Sequence, residues 1–282
     1  QLVSIDLPFS GKSYLDNNSY WFGYVFGAGN YRVTNEYVPS SLKSITIGET
    51  ISVSYEKLFG DYLKKVECLI INDGPTMIDM DAFRDNVSLQ MIEIPSSVRK
   101  IGYAAFMGCT NLESVYLPDS IVEIEASIFY GCESLKNVRL PSGITTINYG
   151  MFYGCAALNQ IDFLENVMEI GEWSFGYCTS LEDLELFEGI QTIYPFAFYG
   201  CTSLDHVILP STLNVIGDIA FSGTSIVSIK NNSDIELRIG GSEGGEIALK
   251  ALVIENKDGS RQYKEDGSVS IEDSEGFLFR CV

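Results

Sequence analysis

Seven cysteines are the residues of this chain whose chemistry is most open, and five of them, Cys109, Cys132, Cys155, Cys178 and Cys201, recur at one constant interval. A thiol can form a disulfide, bind a metal or attack an electrophile. If the interval reflects stacked coils, equivalent cysteines lie about 4.8 Å apart, within disulfide range, yet their side chains point the same way. The favoured reading is therefore a structural ladder of reduced, buried thiols that pack as small apolar groups, with disulfides and a metal site as the lesser alternatives. The odd total and the isolated positions of Cys68 and Cys281 agree with it. His206 is the only histidine, which excludes a multi-histidine metal centre. The chain has no G-x-S-x-G elbow, H-E-x-x-H helix motif or Walker loop, and "GSEGGE" from Gly241 lacks the lysine of a phosphate cradle. Asp162, Asp183 and Glu185 could in principle act as paired carboxylates or hold a cation. A solvated acidic face is the simpler reading, and no catalytic residue, metal or cofactor is expected.

The elements that position these residues follow from the repeat. Phenylalanine stands at Phe83, Phe106, Phe129, Phe152, Phe175, Phe198 and Phe221, spaced by the same interval as the cysteines. A period of about 23 residues signals a leucine-rich solenoid. In "LESVYLP", Val115 and Leu117 alternate with Ser114 and Tyr116, the pattern of a strand with one buried face. Proline at Pro95, Pro118, Pro141 and Pro210 then ends the strand, because it has no N–H to give to a ladder. A second apolar pair such as Ile121 and Ile124 forms the return face. A short segment such as "AAFMGC" follows, expected to be one helical turn with its Phe inward and closed by a left-handed glycine at Gly108, Gly131, Gly154 or Gly200. The fold class is thus a leucine-rich repeat solenoid, a right-handed β/α-type superhelix of short strands and helical turns, with a β-rich C-terminal segment. The strands from Leu42–Ile47 to Val207–Leu209, Ile161–Phe163 among them, are expected to share one parallel sheet. Outward strand positions vary while the core repeats, as in a recognition platform.

The phrases "AFYGCTSLDHVILPSTLNVIG" and "SIFYGCESLKNVRLPSGITTIN" closely resemble the BspA-like class of bacterial leucine-rich repeats. The resemblance covers about Leu42 to Ile229, and "WFGYVFGAGNYRVTNEYVPSSLKSITI" resembles an insert found between such repeats. It divides the chain into a partial repeat with an aromatic insert (1–41), the repeat array (42–232) and a β-rich capping module (233–282) that is expected to continue in a longer chain. Departures are visible: Leu164 and Phe187 replace the proline, and "FGYC" at Phe175 exchanges the glycine and aromatic positions. The resemblance implies a secreted or surface-anchored protein that adheres to a host or matrix protein or a glycan. The rival reading is a repeat scaffold or spacer within a larger surface protein that carries an enzyme or another binding domain.

Charge bounds the partners. Acids outnumber bases 38 to 18, a formal net charge of −20, which disfavours nucleic acid and anionic lipid. No stretch is long and apolar enough to insert in a membrane. The expected binding residues are Tyr116, Arg139, Asp162, Asp183 and Glu185, where an aromatic ring and a base lie beside acids on the strand face. The second candidate is the insert with Trp21, Phe22, Tyr24, Phe26 and Tyr31.

Overall fold

A computed structural model describes residues 4–7, 43–47, 52–53, 66–159, 166–242, 244–265, 268–275 and 278–281. The aromatic insert and the expected strand at 161–163 lie outside them. Two compact units, residues 1–143 and 144–282, make up the chain.

In the first unit the described strands are β1 (Ser4–Leu7), β2 (Ser44–Ile47), β3 (Ser52–Val53), β4 (Cys68–Ile71), β5 (Met77–Ile78), β6 (Met91–Glu93), β7 (Lys100–Ile101), β8 (Ser114–Tyr116), β9 (Glu123–Ile124) and β10 (Asn137–Arg139). They form two parallel sheets, ordered β1-β2-β4-β6-β8-β10 and β3-β5-β7-β9. Each coil thus contributes one strand to the front sheet and a two-residue strand to the return sheet. Pairing is in strict register, so Ile92 lies beside Val115 and Val115 beside Val138. Strand period 2 then turns Ile92 and Val115 inward and their neighbours Met91, Glu93, Ser114 and Tyr116 outward.

In the second unit the strands are β11 (Thr146–Ile147), β12 (Glu169–Ile170), β13 (Asp183–Glu185), β14 (Thr192–Ile193), β15 (His206–Leu209), β16 (Val215–Ile216), β17 (Ser228–Asn231), β18 (Val253–Asn256), β19 (Arg261–Glu265), β20 (Ser268–Glu272) and β21 (Leu278–Cys281). The return sheet is β11-β12-β14-β16 and the front sheet β13-β15-β17-β18-β19-β20-β21. Pairing is parallel through β18 and antiparallel from β19 onward. The coil after β17 therefore returns for one more parallel strand, and three antiparallel strands then extend the same sheet.

The buried phenylalanines form columns of nearly parallel rings. Phe83, Phe106 and Phe129 stack at 5.4 and 5.5 Å in the first unit. Phe152, Phe175, Phe198 and Phe221 stack at 5.2, 5.3 and 5.0 Å in the second. Beside them the five ladder cysteines are buried and unbridged. The thiols also have a polar role that their composition does not announce. Cys109 Sγ–H donates to the Phe83 carbonyl at 3.1 Å, Cys132 to Phe106 at 3.2 Å, Cys178 to Phe152 at 3.2 Å and Cys201 to Phe175 at 3.1 Å.

The expected helical turns are not formed: no described residue is helical. The reason lies in where successive amides point. In an α-helix every N–H bonds four residues back in its own chain. Here the N–H groups of Asp81, Phe83 and Asp85 reach the carbonyls of Tyr103, Ala105 and Met107 in the next coil, while those of Ala82, Arg84 and Asn86 close tight turns onto Asp79, Asp81 and Phe83. The same alternation recurs at Gly150, Phe152 and Gly154 in the second unit. Two left-handed residues bracket each buried Phe and turn the chain: Ala104 and Gly108 around Phe106, Ser127 and Gly131 around Phe129, Trp173 and Tyr177 around Phe175. The glycines are left-handed as the sequence indicates, but they close turns, not a helix.

Two kinds of glycine follow. At Gly131, φ is +72° and an added Cβ meets nothing closer than 3.9 Å, so Gly131→Ala should cost only the left-handed penalty, about 1 kcal/mol. At Gly171 an added Cβ would lie 2.5 Å from the Ile147 carbonyl oxygen of the neighbouring coil, so Gly171→Ala must push coils apart and should cost more, about 1–3 kcal/mol of overpacking. Urea unfolding of the two variants should rank them in that order.

For the thiols, burial pushes Cys109 and Cys201 up to about 12 and Cys132 and Cys178 well above the ordinary value. Native protein should thus react with a thiol reagent at the ladder positions only on unfolding. Because the folded values are raised, the stabilisation is complete below about pH 9 and is lost as pH climbs toward 12. The urea midpoint should fall over that window, and less steeply in Cys109→Ala, which at neutral pH costs about 1 kcal/mol.

Candidate functional site

The front sheet of the first unit places Tyr116 and Arg139 side by side, because strand register sets residues one period apart opposite each other. Tyr116 is 55% exposed. The Arg139 guanidinium carbon sits 4.8 Å from the centre of its ring, and the same group donates to the Tyr116 hydroxyl. Arg139 is also held from the other side, where Nη2 donates to Asp119 Oδ2 at 3.1 Å. Asp119 in turn accepts the Ser142 backbone N–H at 2.8 Å. Hydrogen bonds from the Ser142 backbone and hydroxyl, then the Arg139 charge, hold the Asp119 carboxyl below its usual range. Arg139 is therefore a braced cation lying on an exposed ring. Glu93 and Met91, on the adjacent strand, flank the pair.

Asp119 escapes a reading by strand alternation because it lies after the strand, next to Pro118. The signal that could have found it is again the interval: Ser142 follows Asp119 by one full period. The same device recurs in the second unit, where Glu188 accepts the Ser211 N–H at 2.9 Å and its hydroxyl at 2.8 Å.

In the second unit Asp183 and Glu185 are exposed on β13, opposite His206 and Ile208 of β15. His206 Nδ1 is 2.5 Å from Asp205 Oδ1 and 3.8 Å from Asp183 Oδ1. Asp183, Asp205 and His206 bring three potential ligand atoms within 4.8 Å, the arrangement among the described residues best able to take a divalent cation. All three are open to water, and the ring nitrogen is already engaged by Asp205, so an ordinary surface ion pair accounts for the geometry. Asp162 lies outside the described residues. The structure thus brings Tyr116 together with Arg139, and Asp183 together with His206, each within its own unit.

A double-mutant cycle on Tyr116→Ala and Arg139→Ala should return a coupling of about 0.5–1 kcal/mol in stability, the scale of an exposed cation–π pair. Zero coupling in urea unfolding would show that Asp119 alone places the guanidinium.

Comparison with known proteins follows the repeat. The family model described as "BspA type Leucine rich repeat region" matches in six copies, across residues 35–136 and 122–240. Among solved structures, a leucine-rich repeat protein from Bacteroides ovatus is similar at 24% identity and a TM-score of 0.53, with 69% of this chain aligned to 66% of that one, just under two thirds of its length. A leucine rich repeat protein of T. pallidum is similar at 28% identity and a TM-score of 0.43, covering 60% of this chain and 71% of that one. A leucine rich cell surface protein from Faecalibacterium prausnitzii is similar at 21% identity and a TM-score of 0.38, covering 74% and 76%. No curated protein matches the chain.

Proposed function

Since the chain belongs to the BspA-type leucine-rich repeat family, we propose that it is a non-catalytic binding protein of the cell surface or extracellular space, which holds a host or matrix protein, or a glycan, on its front sheet. The observation that carries this reading is the braced pair Tyr116 and Arg139. The interior repeats Phe, Leu and Cys from coil to coil, whereas the outward positions hold a methionine, acids, a tyrosine and an arginine in no repeating order. An exposed ring bearing a cation that is fixed in advance loses little side-chain freedom on binding, and aromatic and Arg anchors carry most of the energy of typical interfaces. Asp183 and Glu185, with Asp162 from the sequence, add an acidic field suited to steering a basic partner.

The test is a screen of matrix proteins and glycans against the full chain, followed by face variants with the partner found. Tyr116→Ala and Arg139→Ala should each weaken binding by about 1–2 kcal/mol. Asp183→Asn should chiefly slow association and lessen its dependence on salt. Unchanged affinity after all three replacements would remove the front sheet as the site for that partner.

A further inference from the structure

The turn segments of the second unit carry an aromatic patch with no counterpart among the described residues of the first. The left-handed position two residues before each buried Phe holds Asp81, Ala104 and Ser127 in the first unit, and Gly150 followed by Trp173, Phe196 and Ile219 in the second. Two residues after the Phe, where most coils place glycine, the second unit has Tyr177. Trp173, Tyr177 and Phe196 all have φ of +59°, and Ile219 has +48°, a conformation that disfavours bulky and β-branched side chains. Small residues would serve the turn at lower backbone cost, so the turn itself does not call for the large ones. Strain of this kind points to a use outside the fold.

The rings form one cluster. Trp173 stacks on Phe196 at 4.4 Å, and Tyr199 meets Trp173 edge-on at 5.4 Å. Tyr153 contacts both Trp173 and Tyr177, and Tyr177 contacts Tyr199 at 5.5 Å. Tyr177 is 42% exposed and the others are half-buried, so the patch faces water. Gly176 makes room for it: a Cβ there would lie 3.0 Å from the rings of both Trp173 and Tyr153.

Charge selects the occupant. From Leu140 to Ile229 the chain contains no lysine or arginine, while acids recur from Asp162 to Asp218. Glu172 and Asp218, the neighbours of Trp173 and Ile219, are exposed at the patch. The faces of Trp and Tyr rings attract cations, and an acidic rim adds to the same sign of potential. Arginine fits better than lysine, since its planar guanidinium stacks on rings, as Arg139 does on Tyr116 within this chain. We propose that this patch on the turn segments of the second unit is a docking site for an arginine-rich segment of a protein partner. The site is distinct from the front sheet and does not depend on what binds there.

The probe is a fluorescein-labelled nona-arginine peptide, titrated by anisotropy into the full chain at physiological salt. Trp173→Gly with Phe196→Gly keeps the net charge, and relief of two left-handed side chains offsets part of the lost ring packing, so the chain should stay folded at the assay temperature while affinity falls about tenfold. Equal affinity of variant and parent would mean that the peptide senses only overall negative charge, and would overturn the proposal. A second measurement leaves the patch intact: in a Trp21→Phe chain Trp173 is the sole tryptophan, and its emission should change as peptide binds. Silent emission would overturn the site. Nona-lysine binding as tightly as nona-arginine would overturn the stacked guanidinium. A neutral hexasaccharide that shifts Trp173 emission and displaces the peptide would reassign the patch to glycans.

Discussion

Everything in this molecule rests on one requirement: a single coil of the repeat cannot satisfy its own backbone, so many of its amides must bond to a neighbour. The front strands and the return strands meet this need by ordinary parallel pairing. The third side is where the constraint bites, because a helix there would turn its hydrogen bonds inward along one segment and leave that side of the coil unlinked. Alternating amides, one to the coil itself and the next to its neighbour, extend the linkage around the whole coil. The stacked Phe rings and the thiol-to-carbonyl bonds then occupy the interior that this pairing defines. Side chains fill a frame that the backbone dictates.

Much of that frame was legible in the chain, and the particular residues show why. Val115 and Leu117 could be assigned inward because alternation has only two outcomes once proline marks the strand's end. Phe106 could be assigned to the core because a ring that recurs in every coil has only the interior to stack in. Tyr116 and Arg139 could be set side by side because both occupy the same place in consecutive coils. The third side was misread because its defining feature is a backbone angle, and the residues adopting it, Asp81, Ala104, Ser127 and Trp173, share no chemistry. Asp119 was missed for another reason: it lies beyond the strand, where alternation no longer applies, and one of its partners is the Ser142 backbone N–H.

The thiol ladder shows how a position can serve two demands. A cysteine fills the space of a small apolar residue, and its weak donor also serves the Phe carbonyl one coil earlier. Serine could donate more strongly but would bring a more polar atom into the core, and alanine would pack but donate nothing. Burial that satisfies the thiol also suppresses its reactivity. Each ladder cysteine can thus stay free and unreactive inside its own coil.

The strict register between coils has a consequence for how such chains change in length. Hydrogen bonds between coils of a unit join residues a nearly constant distance apart in sequence, so excising or duplicating one whole period inside a unit gives every broken bond a new partner of the same kind. A change that falls one residue short of a period, or runs one past it, would instead turn alternate strand side chains to the wrong face of the sheet. Gene duplication in steps of one period is therefore nearly invisible to the fold, while each added coil brings a fresh pair of outward residues. Size and surface can drift together without the interior being redesigned.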